Sequence, residues 1–123
     1  RQVIRALKSR GLEPFVTLWH FTLPIWFQKK GGFLHPDAPK IFARYCQFVL
    51  ENLCDQAKFW ITINEPLIWA SHGYLKGNWP PFRKDLIAFM RVSNALCRAH
   101  QEAYEVIKKV SGNTHVGIAK YNI

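Results

Sequence analysis

The chain has 123 residues, 49% hydrophobic and 15% aromatic, which supports a packed core and excludes disordered and collagen-like classes. The formal charge is +9, from 17 Lys and Arg against 8 Asp and Glu, yet the basic residues do not gather. Lys29-Lys30, Arg83-Lys84 and Lys108-Lys109 are isolated pairs, so no nucleic-acid surface is expected.

No apolar stretch approaches the roughly 18 residues of a membrane span, and no leader pattern opens the chain, so no membrane partner is expected. The chain starts at Arg1 and runs into an apolar stretch at Ile123, and it reads as an internal fragment of a longer protein. Val3, Ile4 and Leu7 fall at helical spacing, with Arg1, Arg5 and Lys8 on a solvated side and Gly11 placed for a left-handed cap. Phe15 to Trp19 is a β-prone apolar run that ends on His20. Residues 21 to 36 hold two prolines, Gly31-Gly32 and the exposed-looking aromatics Phe21, Trp26, Phe27 and Phe33, the pattern of a long loop.

Asp37 can cap the next helix, which runs to about Asp55 with a stripe of Ile41, Tyr45, Phe48, Val49, Asn52 and Leu53. Phe59 to Ile63 is a second strand, stopped by Asn64, Glu65 and Pro66, because proline cannot donate a ladder hydrogen bond. A second long loop, residues 66 to 84, carries Trp69, His72, Gly73, Tyr74, Gly77, Trp79 and Pro80-Pro81. Asp85 opens a further helix whose stripe is Leu86, Phe89, Met90, Ser93, Leu96, Cys97, His100, Tyr104 and Ile107, ending near Ser111-Gly112. Val116 to Ile123 begins a third strand.

Helix and strand therefore alternate with no hairpin signal, which predicts an α/β fold with parallel strands, either a barrel or an open doubly wound sheet. The glycine-rich phosphate turn of a dinucleotide fold is missing, and the decorated loops follow strands, which favours a (β/α)8 barrel with its site at the carboxyl ends of the strands. Cys46, Cys54 and Cys97 are an odd number without metal spacing. Cys46 and Cys97 lie on the apolar stripes as buried thiols, and a reducing, cytoplasmic compartment is expected.

Two successive strands would present His20 and Asn64-Glu65 on one rim. An imidazole and an amide each both donate and accept, as hydroxyl-rich ligands require, and an adjacent carboxyl group can move a proton. The plainer alternative for Glu65 is that it caps the next segment or pairs with a lysine. Trp19, Trp26, Trp69 and Trp79 could stack on a pyranose or simply pack, and His72 and His100 read as loop polar and helix face. No metal is expected, since no two histidines stand at a ligand spacing beside a carboxylate or thiol, and no cofactor is expected.

Thr62-Ile63-Asn64-Glu65-Pro66 resembles the threonine, apolar, asparagine, glutamate, proline motif of family-one glycoside hydrolases, the retaining β-glycosidases. Thr17-Leu18-Trp19-His20 with Leu23-Pro24 is similar to the family's third-strand motif, Gly31-Gly32-Phe33 to its glycine-glycine-tryptophan turn, and Gly73-Tyr74, Gly77 and Pro80-Pro81 to its loop after strand four. The resemblance implies that residues 1 to 123 are part of a single catalytic domain, a partial (β/α)8 barrel running from about helix 2 to strand 5. It implies β-glycosidase activity on a carbohydrate substrate, with Glu65 as general acid/base, Asn64 on the sugar 2-hydroxyl and His20 on another glycone hydroxyl. Glu65 must start protonated, which asks for burial or a neighbouring negative charge.

Phe21 and Thr22 stand where the family has tryptophan and often aspartate, so contacts to the glycone differ on that side. The resemblance places the nucleophilic glutamate on a seventh strand outside the chain, so the fragment alone is expected to be inactive. With open sheet edges it is also expected to lack a cooperative melt. The rival reading is a non-catalytic carbohydrate-binding relative on the same barrel, which would keep His20 and Asn64 without needing both carboxylates.

Overall fold

The β-branched and aromatic runs form the strands expected of them. In the computed structural model, which describes residues 1–53 and 55–121, β1 (Phe15–Trp19), β2 (Phe59–Asn64) and β3 (His115–Ala119) make one sheet in the order β1-β2-β3, with both pairings parallel. Helix α1 (Gln2–Lys8) precedes β1, with Gly11 left-handed at φ 74° just beyond its last turn. The two long helices, α3 (Ala38–Leu53) and α5 (Leu86–Val110), are the crossovers and pack against each other. Asp85 caps α5 as expected, its Oδ1 accepting from the Ala88 N–H at 2.9 Å, and Ser111 ends the helix.

One face of the sheet is covered and the other is open. Phe15, Phe59 and His115 stand side by side across the three strands on the open face, ring centroids 4.5 and 4.9 Å apart, and Phe15 remains 64% exposed. Leu18, Trp60 and Thr62 point the other way, toward the helices, and are buried.

The faces of the long helices differ from expectation. On α3 the buried residues are Ala38, Pro39, Phe42, Ala43, Cys46 and Leu50, while Tyr45 and Phe48 are exposed. On α5 they are Ala88, Val92, Leu96, Ala99, Ala103 and Ile107, while Leu86, Met90, Tyr104 and Cys97 are exposed. Small side chains let helices approach closely, so alanines rather than the largest apolar residues take the inner stripe. Cys97 is therefore not the buried thiol expected of it, whereas Cys46 is; Cys54 lies outside the described residues. Helix α3 ends at Leu53, Asp55 is in a turn, and the expected extension of β3 reaches residues 122 and 123, outside the described residues.

Both expected loops contain helical structure. The first holds α2 (Ile25–Lys29) and a 3-10 turn (Gly32–Leu34), and the second holds α4 (Pro66–Ala70) followed by a π-helical turn (Ser71–Lys76). Phe27 and Phe33 are buried, not exposed. Phe33 is wholly enclosed and sits among Trp19, Phe27, Phe42 and Trp69, ring centroids 5.0 to 6.1 Å away, mostly edge to face. Such pairs add about 0.5–1.5 kcal/mol each beyond the area they bury, so this cluster fixes the first loop to the sheet. Gly77 fixes the second: at φ 67° it is left-handed, and a Cβ there would stand 2.9 Å from the Arg83 carbonyl oxygen.

Candidate active site

The parallel sheet brings His20 and Asn64 together at the carboxyl ends of adjacent strands. His20 follows the last residue of β1, Asn64 is the last of β2, and Asn64 Nδ2 lies 3.3 Å from His20 Nε2. His20 is exposed and Asn64 half-buried, so both can reach a ligand above the rim. The turn that presents His20 is held tightly. Trp19 Nε1–H donates to the Thr22 carbonyl at 2.7 Å, the Thr22 N–H donates to the His20 carbonyl at 3.0 Å, and Phe21 between them is left-handed at φ 73°.

Glu65 comes next after Asn64, where the chain leaves the strand. Its backbone is left-handed, φ 43° and ψ 59°, a conformation that costs a side-chain-bearing residue about 1–2 kcal/mol. Its N–H donates to the Ala119 carbonyl at 2.8 Å, tying it to β3, and its carbonyl accepts from the Trp69 N–H at 3.2 Å to begin α4. Glu65 is the residue before the first turn of that helix, but its side chain makes no capping hydrogen bond. Pro66 in the first turn of α4 needs no N–H partner, so the break after the strand suits the sequence.

An irregularity in the sheet falls between Ile61 and Asn64. Ile61 pairs with Gly117 but Asn64 pairs with Ala119, so β2 spends three residues where β3 spends two. Toward β1 there is no slip, with Thr17 opposite Ile61 and Trp19 opposite Ile63. Against β3 the extra residue breaks the alternation of β2 just before Asn64, the residue that approaches His20 at the rim.

Thr62, within this bulge, carries a polar arrangement that sequence reasoning passed over. Its buried Oγ1 lies 3.2 Å from the Gly117 carbonyl oxygen and 2.7 Å from His100 Nδ1 on α5. Burial lowers the His100 pKa, which favours the neutral ring. The signal available in the sequence was a hydroxyl inside an otherwise apolar strand and a histidine among the apolar positions of a helix.

The tryptophans divide. Trp19 and Trp69 are buried in the cluster around Phe33 and are packing residues. Trp26 is 54% exposed, with Lys30 Nζ 5.8 Å from its ring centroid. Trp79 is half-buried between His72, at 4.5 Å, and Phe21, at 5.3 Å, and Phe21 in turn meets the His20 ring edge-on at 4.9 Å. His72 also lies 3.0 Å from Asn78 Oδ1 through Nδ1, within the same loop. A groove of about 920 Å³ along β1 includes His20, and a smaller one of about 410 Å³ is lined by Lys29, Lys30, His35 and Arg83 among others. Neither includes Asn64 or Glu65, so it is the strand-end geometry that joins the three residues. Among the described residues no three His, Cys, Asp or Glu side chains gather as a metal site, and no helix is long and apolar enough to cross a membrane.

Parallel strands joined by helices, with polar residues collected beyond their carboxyl ends, define a segment of an α/β fold whose strand-end rim is the candidate site. The model of the glycosyl hydrolase family 1 matches residues 1–122, and the chain belongs to that family. It is 36% identical over 121 residues to β-glucosidase A of Thermotoga maritima and 37% identical over 122 residues to a 1,4-β-D-glucan glucohydrolase of Thermotoga neapolitana. It is also 35% identical over 111 residues, 89% of its length, to a 6-phospho-β-galactosidase of Clostridium acetobutylicum, of which it covers 23%. The solved structure of the Thermotoga maritima β-glucosidase in complex with noeuromycin superposes with a TM-score of 0.95 over 98% of this chain and 28% of that one, at 36% identity. The fold is thus a partial (β/α)8 barrel. The chain spans 27–28% of the length of the two Thermotoga relatives and 98% of its own length is matched in each.

Proposed function

We propose that the protein carrying this chain is a retaining β-glycosidase that hydrolyses O-glycosidic bonds of β-glucosides or related β-glycosides, with Glu65 as general acid/base. The observation that carries the reading is the 3.3 Å approach of Asn64 to His20 on the rim, with Glu65 the next residue along the chain. In this reading Asn64 holds the sugar 2-hydroxyl and His20 another hydroxyl of the glycone. Both side chains have donor and acceptor capacity for a hydroxyl once the contact between them is exchanged for the ligand.

In a retaining reaction the protonated Glu65 carboxyl gives its proton to the glycosidic oxygen as the bond to the anomeric carbon breaks. A second carboxylate about 5–5.5 Å away forms the glycosyl-enzyme. Glu65, now a carboxylate, takes a proton from water, the water oxygen attacks the anomeric carbon, and the second carboxylate leaves. The family resemblance assigns that second group to a glutamate on the seventh strand, so the 123 residues alone are expected to be inactive.

The test uses the complete gene product and Glu65→Ala, compared on β-glucosides with a good and a poor leaving group. Loss of general acid catalysis should lower kcat/KM by about 10²–10⁴ on the poor leaving group. It should leave the good leaving group, which departs unprotonated, nearly unchanged. Unchanged activity on the poor leaving group would refute the assignment.

A further inference from the structure

We infer that Thr62 and His100 are positioning residues which, together with the Gly117 carbonyl, lock the bulge that sets the position of Asn64 at the rim. The inference rests on the β-glycosidase reading, in which Asn64 binds the sugar. A strand at the position of Thr62 has no need of a hydroxyl: valine has the same β-branched shape, and a buried hydroxyl costs free energy unless it is bonded. Here the hydroxyl is bonded at the slip itself. Its one proton, donated to the Gly117 carbonyl at 3.2 Å, leaves a lone pair to accept the Nδ1–H of His100 at 2.7 Å.

The chain of bonds runs from α5 through β2 to β3, and it meets β3 at Gly117, the last residue in register before Asn64 pairs with Ala119. Without it the bulge keeps only its backbone bonds, among them that of the Glu65 N–H to the Ala119 carbonyl, and Asn64 beside it is less firmly placed. Bulges beside active sites commonly re-aim a side chain. A purely structural role, tying α5 to the sheet, would make the same hydrogen bonds, and the two roles separate in which substrates suffer.

The experiment measures kcat/KM of the complete gene product on an aryl β-glucoside and on its 2-deoxy counterpart, with the melting temperature recorded for each variant. Thr62→Val should lose about tenfold to a hundredfold on the glucoside, the range expected when a binding group is misplaced by about 1 Å. It should lose little on the 2-deoxy substrate, which has no hydroxyl for Asn64 to hold. Thr62→Ser should restore activity, His100→Leu should repeat the pattern of Thr62→Val, and Asn64→Ala should show the same substrate discrimination.

Equal losses on both substrates in Thr62→Val and His100→Leu, with Asn64→Ala still discriminating, would overturn the inference and leave only a structural tie. If Asn64→Ala itself fails to discriminate, the assignment of Asn64 is wrong and the inference falls with it. Should Thr62→Val fail to fold, His100→Leu against Asn64→Ala makes the same comparison.

Discussion

Glu65 should be a site where the proposed chemistry opposes stability, and the backbone gives a way to measure it. Its left-handed conformation, φ 43° and ψ 59°, costs any residue with a Cβ about 1–2 kcal/mol, and Ala pays that cost as Glu does. Glycine escapes the clash but gives back roughly 0.5–1 kcal/mol in greater unfolded-chain entropy. Glu65→Gly should therefore be more stable than Glu65→Ala by about 0.75 kcal/mol, the difference between the midpoints of those two ranges. Both variants lack the carboxylate, so charge cancels from the comparison. Equilibrium urea unfolding of the two complete gene products, with matched slopes, reads the difference. An alanine variant as stable as the glycine variant, or more so, would refute the reasoning, because it would mean that the left-handed turn between β2 and α4 is not what Glu65 maintains.

Other consequences follow from burial. His100 has a pKa lowered by burial, so the unfolded chain holds its proton more strongly than the folded one. Its contribution makes stability rise with pH from the lowered value up to about 6.5 and level off above. Relative to His100→Gln, the parent should lose stability on acidification below that point, and a pH-independent difference would contradict this. Phe33→Ala should cost about 3–5 kcal/mol, since the ring is fully enclosed among four aromatic neighbours, as read by the shift in urea midpoint. Burial pushes the Cys46 thiol up to about 12, so it should stay unmodified by a thiol reagent at pH 8 until the protein is unfolded, which labelling and mass spectrometry would check.

Much of this architecture was legible because its causes are local. The runs Phe15–Trp19 and Phe59–Asn64 have β propensity, the first followed by His20 and the second ending on Asn64, and Asp85 is an N-cap by its side-chain chemistry alone. The meeting of His20 with Asn64 followed from parallel pairing, which sets strand ends side by side. The helix faces were misassigned because large apolar residues suggest a core stripe, whereas α3 and α5 bury Ala38, Ala43, Ala88, Ala99 and Ala103. Tyr45, Phe48, Leu86 and Met90 remain on the surface of the chain. In the loops, the density of proline and glycine obscured α2 and α4, which begin at or just after Pro24 and Pro66 and need no donor from either proline. The bulge was invisible in the sequence, because a two-residue alternation cannot announce an extra residue that is defined only against a neighbouring strand.

The central claim is retaining hydrolysis of a β-glycoside, and its most direct test follows the product by proton NMR during the first minutes of turnover of an aryl β-glucoside by the complete gene product. Retention predicts that the β-anomer of the free sugar appears first and then mutarotates. First appearance of the α-anomer would show a single displacement with water and contradict the account, as would the absence of any hydrolysis.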